Sequence, residues 1–291
     1  MPIAYQAGRF LPLSELQIAP HDAGFAMGVA VTDQCRTYQL RPFRLDDHLA
    51  RFARSCELCD VECPLSITEL RQLLFDLLDR NVKTEPGVAD WSLVWCVTPG
   101  LMGSYLGQPG GVLEAKPRLI AYAFPVDSSR FKHYFTQGAV LRIARRVHSP
   151  GDFTVLAKQR SRLHWYLAER EVKRKNPQAQ ALLLDHNGCI TETASGNLLL
   201  VREGSLYSPR TGSVLPGITW KVVQELARTL HIPFVEASLT EADLATAEEA
   251  ILTSTPFGIA PVSQIEERSL RIDGESYRKL QAAWDAMTLV Q

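Results

Sequence analysis

No apolar stretch in these 291 residues approaches the roughly 18 consecutive residues that a membrane-crossing helix needs. Neither sign of charge dominates: 31 Lys and Arg stand against 32 Asp and Glu, which leaves no field to gather nucleic acid or coat an anionic membrane. Small neutral or acidic partners fit better. The six cysteines, Cys35, Cys56, Cys59, Cys63, Cys96 and Cys189, form no disulfide pattern. The opening Met1-Pro2-Ile3-Ala4-Tyr5 lacks the basic and apolar regions of a secretory signal. A cytoplasmic, reduced protein is the expectation. Cys56, Cys59 and Cys63 are spaced so that thiolates can converge on a metal or cluster. No fourth cysteine or nearby histidine completes the set, and Cys56 and Cys59 share a helical face, so no metal is expected. Internal repeats and low-complexity tracts are also missing.

What is present is a mixture of α and β patterns in both halves of a chain long enough for two domains or one large one. Ala7-Gly8 predicts a hairpin, and His21 to Gly28 a glycine-punctuated loop entering a strand over Val29 to Tyr38. Asp46 is expected to cap a helix with Leu49, Phe52, Ala53 and Cys56 on one face. Ser66 and Glu69 form a capping box ahead of an amphipathic helix through Leu70, Leu73, Leu74, Leu77 and Leu78. Strands are predicted at Trp91 to Thr98, Arg118 to Phe124 and Val140 to Val147, then a helix from just after Lys158 to about Arg174. Asn187-Gly188 between apolar runs predicts a type I′ hairpin. Further on come a helix over Thr219 to Leu230, strands at Ile232 to Glu236 and Glu249 to Thr253, a second capping box at Thr240 and Asp243, and a terminal helix over Ser276 to Met287.

Four segments carry chemistry. The hairpin places Glu192 at a strand end beside Ser195, Gly196 and Asn197, where it is either a solvated carboxylate or a group facing a cavity. Lys158 follows the apolar Val155-Leu156-Ala157 and stands out among eight lysines; it is either a surface lysine at a helix start or a desolvated, nucleophilic amine. Leu215, Gly217, Ile218 and Thr219 open a helix whose free N–H groups suit an anion, or form an ordinary junction. Thr253, Ser254 and Thr255 end a strand with hydroxyls and backbone amides that can bind phosphate or a substrate carboxylate. On the upstream helix, His48 and Arg51 are neighbours three residues apart; Arg51 is either a surface arginine or a guanidinium fork for a phosphate dianion.

These segments, in this order, resemble the fold type IV pyridoxal-phosphate enzymes, the class IV aminotransferases, over nearly the whole chain. Lys158 and Glu192, 34 positions apart, match that family's Schiff-base lysine and pyridine-binding glutamate. Arg51 matches its phosphate-binding arginine in a His-x-x-Arg motif. The resemblance implies a mixed α/β fold of two domains: a small α/β domain over 1–124, a linker over 125–135, and a larger cofactor-binding domain over 136–291 with a barrel-like sheet and helices. It implies pyridoxal 5′-phosphate as cofactor, bound by Arg51, Lys158, Glu192, Ser195, Gly196, Asn197, Leu215, Gly217, Ile218, Thr219, Ser254 and Thr255. Amino acid and 2-oxo acid substrates and a homodimer follow from it, with a branched-chain-like aminotransferase as the expected activity. The chain departs from the family at three places. Gly28-Val29-Ala30-Val31-Thr32-Asp33 stands where relatives carry Gly-Asp-Gly-Val-Phe-Glu, Leu163 where they often place a tyrosine, and Ser92 to Gln108 holds no arginine or histidine for a substrate carboxylate. The departures keep two alternatives open: a lyase resembling 4-amino-4-deoxychorismate lyase, and a catalytically silent cofactor-binding protein.

Overall fold

A computed structural model describes residues 1–112, 115–150 and 153–289. The chain divides into two compact units: Met1–Val126 with Ala157–Ser161, and Asp127–Leu156 with the chain from Arg162 onward.

The first unit runs β1 (Ile3–Gln6), β2 (Arg9–Pro12), α1 (Ala23–Ala26), β3 (Val31–Tyr38), β4 (Arg41–Pro42), α2 (Leu45–Cys59), α3 (Ile67–Thr84), β5 (Trp91–Thr98) and β6 (Arg118–Pro125). Its antiparallel sheet has the order β2-β1-β6-β5-β3-β4. Alternation decides which side is dry: Val31 and Cys35, Leu93, Trp95 and Val97, and Leu119, Ala121 and Ala123 form one core with the apolar faces of α2 and α3. The hairpin at Ala7-Gly8 has φ of 51° and 84°, both in the left-handed region that a type I′ turn requires. The capping box at Ser66 and Glu69 is formed. Asp46, expected to cap α2, lies inside its first turn instead; the N-cap is Arg44 in a left-handed conformation. Asp46 there bonds Arg71 of α3, at the helix end where a negative charge is favoured.

The second unit runs α4 (Lys132–Gln137), β7 (Ala139–Ile143), α5 (Leu163–Lys175), β8 (Gln180–Leu184), β9 (Ile190–Thr193), β10 (Asn197–Arg202), β11 (Ser205–Pro209), α6 (Ile218–Thr229), β12 (Phe234–Ala237), α7 (Glu241–Leu244), β13 (Glu249–Ser254), β14 (Gly258–Ile265), β15 (Arg268–Ser269) and α8 (Glu275–Leu289). Strands β10, β13, β14, β7, β8 and β9 pair in that order, and β9 pairs back onto β10, which closes a six-stranded barrel. Closure leaves no sheet edge among those six. Leu141, Leu182, Leu198, Leu200, Leu252, Ala260 and Val262 form its core. The alternate residues of β10 and β13, among them Asn197 and Thr253, lie on the other face, and α6 and α8 pack against β13.

Two further local expectations are corrected. The β8–β9 loop is not a type I′ turn: Gly188 has φ 78° but Asn187 is not in the left-handed region. Asp185 organises the loop instead, its Oδ1 accepting from the backbone N–H groups of Asn187 and Cys189. The helix expected directly after Lys158 starts later, at Leu163. Of the intervening residues, Gln159 is bridged antiparallel to Val31 of β3, and Arg162, the N-cap of the helix, has left the extended region.

Candidate active site

In the first unit, strand pairing rather than a helix start presents Lys158. Its carbonyl accepts from Thr32 N–H at 2.9 Å, and Arg160 N–H donates to the Ala30 carbonyl at 2.8 Å, so residues 158–160 run beside residues 30–32, where β3 begins. The Lys158 N–H donates to Ser55 Oγ of α2 at 3.0 Å. Lys158 itself is half-buried.

One helical turn before Ser55, Arg51 is buried and grips Asp33 of β3. Arg51 Nε donates to Asp33 Oδ2 at 2.9 Å and Nη2 to Oδ1 at 2.7 Å, while His48 Nδ1 lies 2.9 Å from the same Oδ1. Burial would raise the Asp33 carboxyl, but the Arg51 guanidinium and His48 outweigh it and hold the group below the usual carboxylate range. For His48, burial acts first and lowers its pKa from the ordinary 6.5; Asp33 pulls the other way without cancelling it. The cluster is therefore an ionised carboxylate, a guanidinium and a neutral imidazole. In the sequence Asp33 stands out only as the end of a departing motif. Its pairing with Arg51 depends on the packing of β3 against α2, which no local pattern encodes.

The second unit collects the residues around Glu192. Glu192 and Asn197 are cross-strand partners on β9 and β10, and Asn197 faces Thr253 on β13. Glu192 Oε2 accepts from Asn197 Nδ2 and from Leu215 N–H, each at 3.3 Å, and Asn197 Nδ2 also donates to the Leu215 carbonyl at 2.8 Å. Gly217, the N-cap of α6, lies so close that a Cβ there would collide with Asn197 Oδ1. No side chain caps α6, and Thr219 in its first turn is buried. Thr253 Oγ1 is buried without a hydrogen-bond partner among the described residues, the kind of orphaned donor that calls for an explanation.

Ser195, Gly196 and Ser254 make contacts with one another and with β8 and β13. Ser195 Oγ donates to Gln180 and Ser254 Oγ donates to the Ser195 carbonyl. Gly196 sits where a Cβ would collide with the Thr253 carbonyl oxygen. Thr255 follows in the turn between β13 and β14. Of the arginines on and after β7, Arg142 pairs with Glu267 and Arg145 is bidentate on Glu241. Leu163, at the expected tyrosine position, is 69% exposed. Tyr166 is also exposed, with its hydroxyl on Arg170. Among the described residues no group of three His, Cys, Asp or Glu side chains converges for a metal, and no helix is long and apolar enough to cross a membrane.

The family model for amino-transferase class IV matches residues 30–265, and the chain belongs to that family. It is 28% identical over 266 residues to D-alanine aminotransferase of Bacillus licheniformis, covering 90% of this chain and 88% of that one. It is 25% identical over 277 residues to aminodeoxychorismate lyase of Bacillus subtilis (strain 168), covering 90% and 86%. In fold it is similar to the branched-chain amino acid aminotransferase of Escherichia coli, with a TM-score of 0.87 over 98% of this chain and 94% of that one at 24% identity. The branched-chain aminotransferase of the archaeon Thermoproteus uzoniensis gives 0.84 over 98% and 94% at 21% identity.

Proposed function

We propose that this chain is a pyridoxal-phosphate-dependent aminotransferase that moves an amino group between an amino acid and a 2-oxo acid. The observation that carries the reading is the Glu192 carboxylate, oriented by Asn197 and Leu215 in the same unit as the unpartnered Thr253 hydroxyl and the uncapped start of α6. These donors fit the cofactor: a carboxylate suits a protonated ring nitrogen, and free N–H and O–H groups suit a phosphate. When bound, pyridoxal 5′-phosphate supplies the electron sink that lets a proton leave the substrate α-carbon.

Lys158 provides the amine that attaches the cofactor and afterwards holds and moves the proton between two carbons, a role worth roughly 10² to 10⁴ in rate. Glu192 keeps the ring nitrogen protonated through a charge-assisted bond worth about 1.5 to 3 kcal/mol. The N–H groups of Ile218 and Thr219 with the Thr253 and Thr255 hydroxyls take the phosphate. Arg51 is assigned to it as well, with Asp33 holding its guanidinium in one orientation. A homodimer is proposed on the family resemblance, and sedimentation tests it.

A lyase of the aminodeoxychorismate type would use the same lysine and glutamate. What favours keeping it is Leu163, which leaves the usual tyrosine position without a hydroxyl. One experiment separates the readings: L- and D-amino donors, branched-chain ones included, with 2-oxoglutarate or pyruvate, beside aminodeoxychorismate. Amino transfer with alternating donor and acceptor kinetics supports the aminotransferase; pyruvate release from aminodeoxychorismate alone overturns it. The protein should absorb at about 410 to 430 nm, and borohydride should fix the cofactor on Lys158. Labelling of another lysine refutes the assignment.

A further inference from the structure

Ser55 has no exposed surface and no place in the roles described so far, yet its single hydroxyl makes two hydrogen bonds. It donates to the Arg51 carbonyl at 2.9 Å and accepts from the Lys158 N–H at 3.0 Å. The first bond is the ordinary back-bond of a serine to the carbonyl four residues earlier in a helix. The second is not local: it joins α2 to a segment 103 residues further along the chain. On its other side the Lys158 carbonyl is bonded to Thr32 of β3. The peptide groups flanking the Lys158 α-carbon are therefore clamped by two different elements, a strand and a helix. Those elements are themselves locked together by the buried Asp33–Arg51 pair.

We propose that Ser55 is a positioning residue for Lys158: its hydroxyl fixes the lysine backbone against α2, so that the amine is presented from a defined α-carbon position. The proposal rests on Lys158 being the cofactor-attaching amine. A lysine that must reach two different carbons tolerates little error at its root, because a displacement of about 1 Å can lower a rate by about a hundredfold. Ser55 reaches neither substrate nor cofactor in this account and acts only through the lysine. A methyl group at position 55 can neither donate to Arg51 nor accept from Lys158, while α2 keeps its own backbone ladder.

The test combines amide hydrogen exchange with kinetics on the pyridoxal-phosphate-loaded protein. In the wild type the Lys158 amide should exchange as slowly as the paired amides of β3; exchange as fast as at the exposed turn residue Gly87 overturns the proposal without any variant. In Ser55→Ala, exchange at Lys158 should rise about tenfold, as for loss of one buried hydrogen bond. Amides of α2 away from position 55 should stay within about twofold. The turnover number should fall about tenfold with KM within about twofold. Unchanged exchange at Lys158, or a rise spread evenly over α2, overturns the positioning role. Borohydride mapping keeps the two readings apart. Reduction onto another lysine removes the functional reading and this one with it, whereas reduction onto Lys158 with unchanged exchange removes this one alone.

Discussion

Replacing Asp33 with asparagine changes almost no volume and removes one charge from a site with almost no water. Asp33, His48 and Arg51 are 0%, 1% and 3% exposed. Asp33 receives both Nε and Nη2 of the guanidinium, the contact from His48 and a backbone donation from Gln34 at 2.6 Å. In Asp33→Asn the amide can accept only at its oxygen, and its NH2 group is set against a donor. The guanidinium remains charged, because arginine does not give up its proton in proteins, and it stays buried with the Asp33 counter-charge gone. Removing one partner of such a pair costs about 3 to 5 kcal/mol. At about 2 to 4 °C per kcal/mol for a chain of this size, the midpoint should fall by roughly 6 to 20 °C. Urea unfolding at pH 7 without pyridoxal phosphate measures the free-energy loss, free of any change in cofactor binding. A loss below about 1 kcal/mol would show that the cluster is wetter or looser than the geometry states. A second variant sharpens the logic: converting Asp33, His48 and Arg51 together to leucine, leucine and methionine should recover much of the loss, because a dry apolar cluster of similar volume needs no counter-charge. Equal destabilisation by the single and triple variants would refute the uncompensated-charge argument.

Three further outcomes are expected. Thr253→Val removes a buried, unpartnered hydroxyl; stability without cofactor should be unchanged or up to about 1 kcal/mol higher. Pyridoxal-phosphate affinity by equilibrium dialysis should fall about ten- to a hundredfold, and unchanged affinity removes Thr253 from the phosphate site. His48 is lowered by burial from 6.5, so below that pH the unfolded chain binds a proton that the fold resists. Its contribution to stability is complete above about pH 6.5 and is lost as pH falls beneath it. Urea midpoints at pH 7.5 and 5.5 should differ more in the wild type than in His48→Gln; equal differences refute the neutral imidazole. Glu192→Gln should slow proton abstraction, read by single-turnover absorbance, far more than it weakens cofactor binding, and an unchanged rate counts against the ring-nitrogen role.

Much of the frame was legible because it is written in local periodicity. The dry face of α3, the capping boxes at Ser66 and Thr240, the Ala7-Gly8 hairpin and the buried strand from Trp91 to Thr98 each follow from spacing within about a dozen residues. The loop at Asn187-Gly188 departs from the type I′ turn its dipeptide predicts because an aspartate two residues earlier takes the backbone donors that such a turn would arrange otherwise. The helix that the pattern predicts just after Lys158 begins only at Leu163, because the backbone of 158–160 is bonded to Ala30 and Thr32 rather than to its own next turn.

The amino-acid order by itself determined which side chains were available for the chemistry: a lysine after an apolar run, a glutamate on a returning strand, and glycines where two backbones approach. Tertiary structure alone decided that Asp33 lies under Arg51, that Ser55 ties down Lys158, and that the Thr253 hydroxyl is left without a partner among the described residues. The physical reason is that periodicity reports which face of an element turns inward. Hydrogen-bond partners distant along the chain are chosen by the packing and register of whole elements against one another, and that choice leaves no mark in the neighbouring residues.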